Sequence, residues 1–458
     1  MSLGKVCRGY GVSQTTRNTM FDVVIGDGIV QSFAASQHQA PPQWNARGDR
    51  IYVEVMPPDW DFLESIRYYM HVIKPGLMDD LSTPADPPFK DDDYISAAFT
   101  CNIITYQIAK VYVSRGEVAR PGHDPNLNSL WKSYYHYVLE LLRILNMCIR
   151  DEGPYGGRRR VFYCVFRLFT CDSNFLLPSW QAHLKGYFAY VEHMGGVKTV
   201  LSFPTSPIYT FLYILTHAAM ANTTSPPGRQ IREFDHYSDE EMQKIYDYRF
   251  MAGFSCPFDI FASIIHISRL RVQVHYEKLP GPVLDAAVQQ ILKKIRTFDA
   301  ENWVKEKGLD EENIAQLGRI YQTATLLHGI LTLPRPAVVA WVLSDSTTGH
   351  PKVSNPGSIY KNTLDIYKKQ LFALIREVWP KLINQSGIRW PLIVAGVAVA
   401  KGGPEVERSF VEGALLAIWA SPLEGGVTGQ FLGCLRDFWA SGKTEWDDCF
   451  KEPMLVID

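Results

Sequence analysis

From residue 57 to the C-terminal end, apolar side chains recur at steps of three and four residues, and this period constrains the fold most strongly. The clearest example begins at Ser179, which stands where an N-cap hydroxyl can accept a hydrogen bond from a free backbone amide. One face of the segment carries Trp180, Leu184, Tyr187, Val191 and Met194. The pattern predicts an amphipathic helix that ends at Gly195-Gly196, since glycine readily adopts the left-handed conformation of helix ends.

The same period recurs through the rest of this region. Pro282 is predicted to open a helix whose C-terminal end carries Lys293, Lys294 and Arg296, cations that complement the helix dipole. Further helical runs lie at 58–73, 128–150, 207–221, 257–275, 311–331, 358–382, 391–400, 405–420 and 426–440. Loops rich in Pro, Gly, Asp and Ser separate these runs. The sequence therefore predicts an all-α fold, a large multi-helix domain over residues 57–458 without a consensus repeat.

Residues 1–56 differ from the rest of the chain. They are rich in Gly, Gln, Ser, Asn and Arg, and their two apolar runs, Phe21–Ile25 and Gly28–Phe33, are too short for a stable isolated helix. We expect a poorly structured N-terminal arm, extended or strand-like where it is apolar.

The composition excludes several classes of protein. Hydrophobic residues make up 46% of the 458 residues, which is enough to exclude wholesale disorder. The 46 Lys and Arg against 48 Asp and Glu leave a net charge of -2, so the chain cannot hold nucleic acid by an overall positive field. Neither a membrane-spanning run nor a signal-peptide pattern occurs. We therefore expect a nuclear or cytosolic protein with reduced thiols and no contact with a membrane.

Sequence motifs for catalysis and metal binding are absent. The eight cysteines form no CxxC pair and no zinc-site spacing, and no G-x-S-x-G, H-E-x-x-H or P-loop occurs. His183 and His193 flank Glu192 on a predicted helix, but their separation puts the two side chains roughly 80° apart and nearly three turns distant. We predict no catalytic, cofactor-binding or metal-binding residue, and we interpret both histidines as structural or surface residues.

Four charged clusters are candidates for sites. Arg158-Arg159-Arg160 is the densest basic run, and a solvated helix start is favoured over a phosphate contact or a weak nuclear address. The acidic runs Asp91-Asp92-Asp93 and Asp239-Glu240-Glu241 precede helices, where negative charge stabilises the N-terminal end. Trp446-Asp447-Asp448 is interpreted as an exposed or packed terminal turn rather than a site.

Segments spread over about residues 58–450 resemble the fungal-specific transcription factor domain, the helical regulatory region that follows a six-cysteine binuclear zinc cluster in many fungal regulators. The segments that carry the likeness are His183-Leu184-Lys185-Gly186 with Gly195-Gly196, Cys256-Pro257, Tyr321 to Leu331, and Trp390-Pro391 with Ala395-Gly396 followed by Arg408. The resemblance implies a structural role for these residues and a scaffold for regulation rather than a catalyst.

The segment from Trp390 to Gly396, the most recognisable of these, also has a physical interpretation that does not depend on the family. Pro391 is expected at the first helical position, where it loses no needed donor. Leu392 to Ala400 is apolar nearly all round, which predicts a central, buried helix. Gly396 would permit the close approach of a second helix.

The N-terminal end departs from the family. Val6-Cys7-Arg8-Gly9-Tyr10 resembles the end of a zinc cluster whose first five cysteines are missing, and one thiolate cannot hold two zinc ions. Our hypothesis is that Cys7 is the remnant of a lost cluster or of one encoded upstream of Met1; the alternative is an ordinary cysteine. With no basic reader helix in this sequence, we predict no DNA-binding residues.

Two functions follow as hypotheses. The first is a fungal transcription regulator, in the nucleus or also the cytoplasm, that controls a biosynthetic gene cluster of secondary metabolism without a complete zinc cluster. It would reach DNA through other transcription regulators and respond to a small-molecule effector. The alternative is the same fold recruited as a pathway enzyme, for a cyclisation or similar step, with the abundant aromatic residues lining a pocket. A nonfunctional truncated paralogue is a third interpretation.

Overall fold

The structure is a computed structural model of the chain. It describes residues 60–73, 93–117, 119–150, 156–175, 177, 179–203, 207–247, 256–307, 312–344, 355–382, 385–400, 403–420 and 426–456, together with the backbone of four short strands between residues 22 and 51.

The strands form two small antiparallel pairs near the N-terminus. The first joins β1 (Asp22–Val24) to β2 (Val30–Ser32), and the second joins β3 (Gln43–Trp44) to β4 (Arg50–Ile51). The first pair falls within the two apolar runs for which an extended conformation was predicted. Cys7 lies outside the described residues.

The rest of the described chain is helical, so the all-α prediction is confirmed. Its eighteen α-helices are α1 (Trp60–Tyr68), α2 (Asp93–Ser114), α3 (Asn128–Arg150), α4 (Gly156–Asn174), α5 (Trp180–His193), α6 (Gly196–Leu201), α7 (Ile208–Thr223), α8 (Asp239–Tyr246), α9 (Phe258–His275), α10 (Gly281–Arg296), α11 (Ala300–Glu306), α12 (Glu312–Thr332), α13 (Arg335–Ser344), α14 (Pro356–Val378), α15 (Arg389–Ala398), α16 (Glu405–Trp419), α17 (Val427–Ser441) and α18 (Trp446–Cys449).

Most predicted helices begin and end within a few residues of the observed ones, and α3 coincides with its predicted range. One correction concerns α15, which begins at Arg389, so that Pro391 is its third residue rather than its first. The reason is that the first turn of a helix needs no backbone N–H for intrahelical bonds, so proline is tolerated throughout it. Among the described helices, none is long and apolar enough to cross a bilayer.

The chain divides into two compact units. The first comprises Met1–His183 and Pro422–Gly426. In it, α2, α3 and α4 pack against one another and α1 packs on α2. Aromatic rings fill much of this core: Trp131 lies 4.6 Å from Phe175 between ring centroids, and Tyr134 lies 5.0 Å from the same ring.

The second unit comprises Leu184–Ser421 and Val427–Asp458. Its central element is α12, which contacts α9, α10, α11, α14, α15 and α18. Every residue of α15 is buried, as its apolar composition on all sides predicts. The beginning of a regulatory domain at residue 57 stays a prediction.

Candidate effector pocket and the signature residues

His183 makes a partly buried hydrogen bond inside the first unit. Its Nε2 lies 2.9 Å from Oδ2 of Asp172, whose other oxygen accepts a hydrogen bond of 3.1 Å from the Tyr134 hydroxyl. Burial, with the neighbouring Asp172 carboxylate, raises the pKa of Tyr134 well above its ordinary value, so the phenol remains a donor. Asp172 thus joins α4 to α3 and to the start of α5.

His193 and Glu192 have other partners than His183. The Glu192 carboxylate accepts hydrogen bonds of 3.1 Å from the Tyr237 hydroxyl and from Nε2 of His236, and the His193 ring stacks on Tyr190. The structure therefore does not bring the two histidines together. In the described part of the chain, no three His, Cys, Asp or Glu side chains are arranged to hold a metal ion.

The paired glycines after α5 adopt the left-handed conformation that the sequence predicts. Gly195 has φ of 96° and Gly196 has φ of 82°. A Cβ at Gly195 would also lie 3.0 Å from Oγ1 of Thr199. Gly186 is different, because a Cβ there would meet no atom within 4 Å, and nothing in the structure explains this signature glycine.

Cys256 and Pro257 form the entry to α9, as predicted. Pro257 is the N-cap of the helix, and the Cys256 carbonyl accepts a hydrogen bond from the Tyr246 hydroxyl. Burial raises the pKa of the Cys256 thiol well above its ordinary value. A protonated, inaccessible thiol is a poor nucleophile.

Gly396 brings α15 close to α16 and α17. A Cβ at Gly396 would lie 2.9 Å from Cδ1 of Leu435 on α17 and 3.3 Å from Cγ1 of Val411 on α16. The Gly396 carbonyl also accepts a hydrogen bond of 2.8 Å from Nε1 of Trp439. Its neighbour Ala395 is fully buried, which leaves no space for a larger side chain.

Two of the charged clusters have the structural roles that the sequence predicts. Ser238 caps α8 and forms a reciprocal capping box with Glu241, so Asp239-Glu240-Glu241 occupies the first turn of that helix. Arg158, Arg159 and Arg160 lie in the first turns of α4, the last two exposed. Asp91 and Asp92 lie outside the described residues.

The C-terminal end of α7 is a polar centre within the apolar core of the second unit. The Thr223 carbonyl accepts hydrogen bonds from Nε1 of Trp446 at 2.8 Å and from Nη1 of Arg271 at 3.2 Å. The Thr223 hydroxyl accepts a third, of 3.0 Å, from Nε1 of Trp390. Because the last carbonyls of a helix lack intrahelical partners, a guanidinium and two indoles stabilise this buried end.

Arg271 connects this centre to the surface. Its side chain is 2% exposed, yet Nη2 lies 2.5 Å from Oδ1 of Asp447, whose side chain is 56% exposed. Burial lowers the pKa of Arg271, and the Asp447 carboxylate acts in the opposite direction. The guanidinium remains charged, because arginine is not deprotonated in proteins.

His328 is fully buried beside the same centre. Its ring lies 4.8 Å from that of Trp446 and 5.7 Å from that of Trp390, between centroids. Neither ring nitrogen has a hydrogen bond of good geometry. Burial and then the Arg271 charge lower the pKa of His328 well below its ordinary value of 6.5, against a smaller opposing effect of the Thr223 backbone. The imidazole is therefore neutral at physiological pH.

A cavity of about 360 Å³ lies beside Arg271. Its apolar lining residues include Val274, Leu331, Leu333 and Trp446; the remaining lining residues are Pro227, Arg271, His275, Thr332, Pro334, Arg335, Tyr360, Glu445 and Asp447. The volume is at the lower end of the range for small-molecule sites.

The cavity carries two arginines, each paired with a carboxylate from the segment 445–447. Arg271 pairs with Asp447, and Arg335 pairs with Glu445. The Arg335 guanidinium also lies 5.3 Å from the centre of the Tyr360 ring. Apolar walls with a few convergent charges are suited to a small molecule that has an apolar body and a polar end.

Sequence reasoning missed this cavity. No motif in the sequence pointed to Arg271. The interpretation of Trp446-Asp447-Asp448 as a terminal turn agrees with α18, but it did not include the ion pair between Asp447 and Arg271. A charged residue inside the apolar segment 258–275 was the available signal, because a buried arginine requires a partner.

The comparisons with known proteins concern this region of the chain. A family model of the fungal specific transcription factor domain matches residues 144–452, more than half of the chain. The chain belongs to this family. The match includes all the signature residues named above and the whole lining of the cavity. The expected family is thus confirmed.

A curated relative and the solved structures give two further results. The chain is similar to the phomenoic acid biosynthesis cluster-specific transcriptional regulator of Leptosphaeria maculans, with 24% identity over 414 residues, which cover 90% of this chain and 73% of the relative. No solved structure matches the chain.

Proposed function

We propose that this protein regulates transcription of a biosynthetic gene cluster of secondary metabolism in a fungus and acts in the nucleus. Membership of the fungal transcription factor family over residues 144–452 carries the proposal. The Leptosphaeria relative is a regulator specific to one biosynthetic cluster, which supports the same kind of target for this protein. The regulatory domain would begin near residue 57, and the signature residues from His183 to Arg408 would hold its fold rather than contact a reactant.

We further propose that these 458 residues reach DNA through other transcription regulators. A binuclear zinc cluster requires six thiolates, and Cys7 is the only cysteine before Cys101 in this sequence. Without a reader helix, the electrostatic contribution to DNA binding would also be small, because the net charge is -2.

Deleting the gene and measuring transcripts across the genome tests the regulatory role. We expect the transcripts of one contiguous set of biosynthetic genes to fall, and to recover when the 458-residue chain is restored. A fluorescent fusion should accumulate in the nucleus. Unchanged transcripts of every biosynthetic cluster, under conditions in which those clusters are expressed, would contradict the proposal.

A gel-shift experiment with the purified chain tests the dependence on partners. Promoter DNA of the affected genes should bind weakly, and the weak binding should be the same for scrambled DNA and be lost as salt is raised. Tight, sequence-selective binding by the chain alone would show that partners are unnecessary. The enzyme alternative gains no support from the family match or from the relative, and we do not propose it.

A further inference from the structure

We propose that the cavity beside Arg271 binds a small apolar carboxylic acid, whose carboxylate replaces that of Asp447 on the Arg271 guanidinium. The proposal rests on the proposed function only for the consequence of binding. Binding itself is tested on the purified chain, so its failure would leave the regulatory role untouched.

The Arg271 guanidinium is held in an orientation that can bind a carboxylate. Its Nη1 is directed to the backbone carbonyls of Asn222 and Thr223, at 3.5 and 3.2 Å, so the planar group is fixed on one side. On the other side, Nη2 donates a hydrogen bond to a carboxylate oxygen of Asp447. Guanidinium and carboxylate are matched in geometry and charge, and burial strengthens the pair.

Asp447 is a replaceable partner. Its side chain is 56% exposed, and it stands on α18, a helix of only four residues. An exposed carboxylate loses little when it returns to water, whereas the buried guanidinium must keep an anion beside it. A ligand carboxylate in the cavity supplies that anion and releases Asp447.

The rest of the ligand is defined by the walls. Val274, Leu331, Leu333 and Trp446 offer apolar contact beside the charged groups, so a ligand with an apolar body and a carboxylate can contact both kinds of lining residue. A neutral analogue would leave the Arg271 charge with Asp447. An amine would meet the buried Arg271 as a like charge, while Glu445 and Asp447, each more than half exposed, would attract it only through screening solvent. The cavity therefore selects acids over their amides and amines.

Binding would be sensed by the signature helix. Releasing Asp447 changes the restraint on the adjacent Trp446, which donates to the Thr223 carbonyl and contacts the His328 ring. His328 in turn contacts Trp390, the second residue of α15, and Trp390 donates to the Thr223 hydroxyl. Ligand occupancy and the position of α15 are thus linked through packed rings and shared hydrogen bonds.

Isothermal titration of the full chain with naphthoate tests the proposal, with naphthamide and naphthylamine as controls of the same shape. Wild type should bind naphthoate at least tenfold more tightly than either control. Asp447→Asn removes the internal competitor and should tighten naphthoate binding about tenfold. Asp448→Asn is the matched control, since Asp448 pairs with Lys443 at 2.7 Å and does not line the cavity, and should leave the affinity unchanged.

Two results would overturn the proposal. One is the absence of naphthoate binding to both wild type and Asp447→Asn up to ~5 mM, a concentration at which a fragment of this size should bind a matching site. The other is binding that is equal for acid and amide, or unaffected by Asp447→Asn. Asp448→Asn changes a residue outside the cavity, whereas Asp447→Asn removes the carboxylate partner of the buried Arg271, so circular dichroism and urea denaturation should first show that this variant is folded. The comparison of acid with amide on wild type does not depend on either variant.

Discussion

Nη2 of Arg408 lies 2.8 Å from the carbonyl oxygen of Ala400, so a side chain of α16 caps the backbone that follows the C-terminal end of α15. Its Nε also donates to the Val399 carbonyl at 3.2 Å. Arg408 is the last residue of the family signature, and its position explains why an arginine serves there: two adjacent carbonyls are satisfied by one planar group.

Replacing Arg408 with alanine should therefore destabilise the protein. The loss of hydrogen bonds from a charged donor to partly buried carbonyls is expected to lower the free energy of unfolding by about 1.5–3 kcal/mol. Urea denaturation followed by circular dichroism measures the change. Arg408→Lys should be intermediate, because one ammonium retains the charge but cannot reproduce the fork; a stability of Arg408→Ala equal to wild type would contradict the assigned role.

Gly396→Ala should also destabilise, because its new Cβ would lie 2.9 Å from Leu435. An added methyl in this packed junction is expected to cost about 1–3 kcal/mol of unfolding free energy. Gly413 on α16 is the matched control: a Cβ there meets no atom within 4 Å, so Gly413→Ala should stabilise by up to about 1 kcal/mol. If both substitutions changed the free energy of unfolding by similar amounts, helix propensity rather than packing would determine the effect at Gly396.

His183→Asn tests whether this signature histidine is structural. The substitution removes the hydrogen bond between His183 and Asp172, so the buried Asp172 carboxylate retains only the Tyr134 hydroxyl of these two partners. We expect a loss of about 1–2 kcal/mol in the free energy of unfolding, whereas His193→Asn on the same helix should change it by less than about 0.5 kcal/mol. A reversal of this order in thermal or urea denaturation would refute the interpretation.

His328 should make stability depend on pH. Its folded pKa lies well below 6.5, so in the interval between the two values the unfolded chain binds one more proton than the folded chain. The stability that comes from keeping His328 neutral is fully present above pH 6.5. As pH decreases below 6.5, the free energy of unfolding should fall by up to about 1.4 kcal/mol per pH unit.

The comparison of wild type with His328→Phe isolates this effect, since phenylalanine retains ring contacts with Trp390 and Trp446 but does not titrate. Urea denaturation between neutral pH and about pH 5 should show a shallower pH dependence for the variant. The same measurement on a variant with the exposed His123 changed to Asn controls for the loss of a histidine from the surface. Equal slopes for wild type and His328→Phe would exclude His328 as the origin.

Local features of the fold were predictable from the sequence because their causes are local. The range of α3 follows from its apolar period and its flanking loops, and the left-handed Gly195-Gly196 follows from the freedom of glycine. The start of α15 was misplaced by two residues, since proline is compatible with any position in the first turn and so does not fix the first one.

The candidate site was not predictable in the same way. Its residues come from five helices, and the charged pairs Arg271–Asp447 and Arg335–Glu445 are separated by more than a hundred positions along the chain. A sequence pattern records which residues are apolar, but it does not record which distant carboxylate meets a buried guanidinium.

By itself, the sequence determined that this chain is built from amphipathic helices, where most of them begin and end, and which family it resembles, because periodicity, capping and glycine conformations act over a few residues. Only the tertiary structure decided that Thr223, Arg271, His328, Trp390 and Trp446 meet at one buried helix end beside a cavity. That meeting depends on how helices far apart in sequence pack together, and burial at the meeting point then keeps the His328 imidazole neutral.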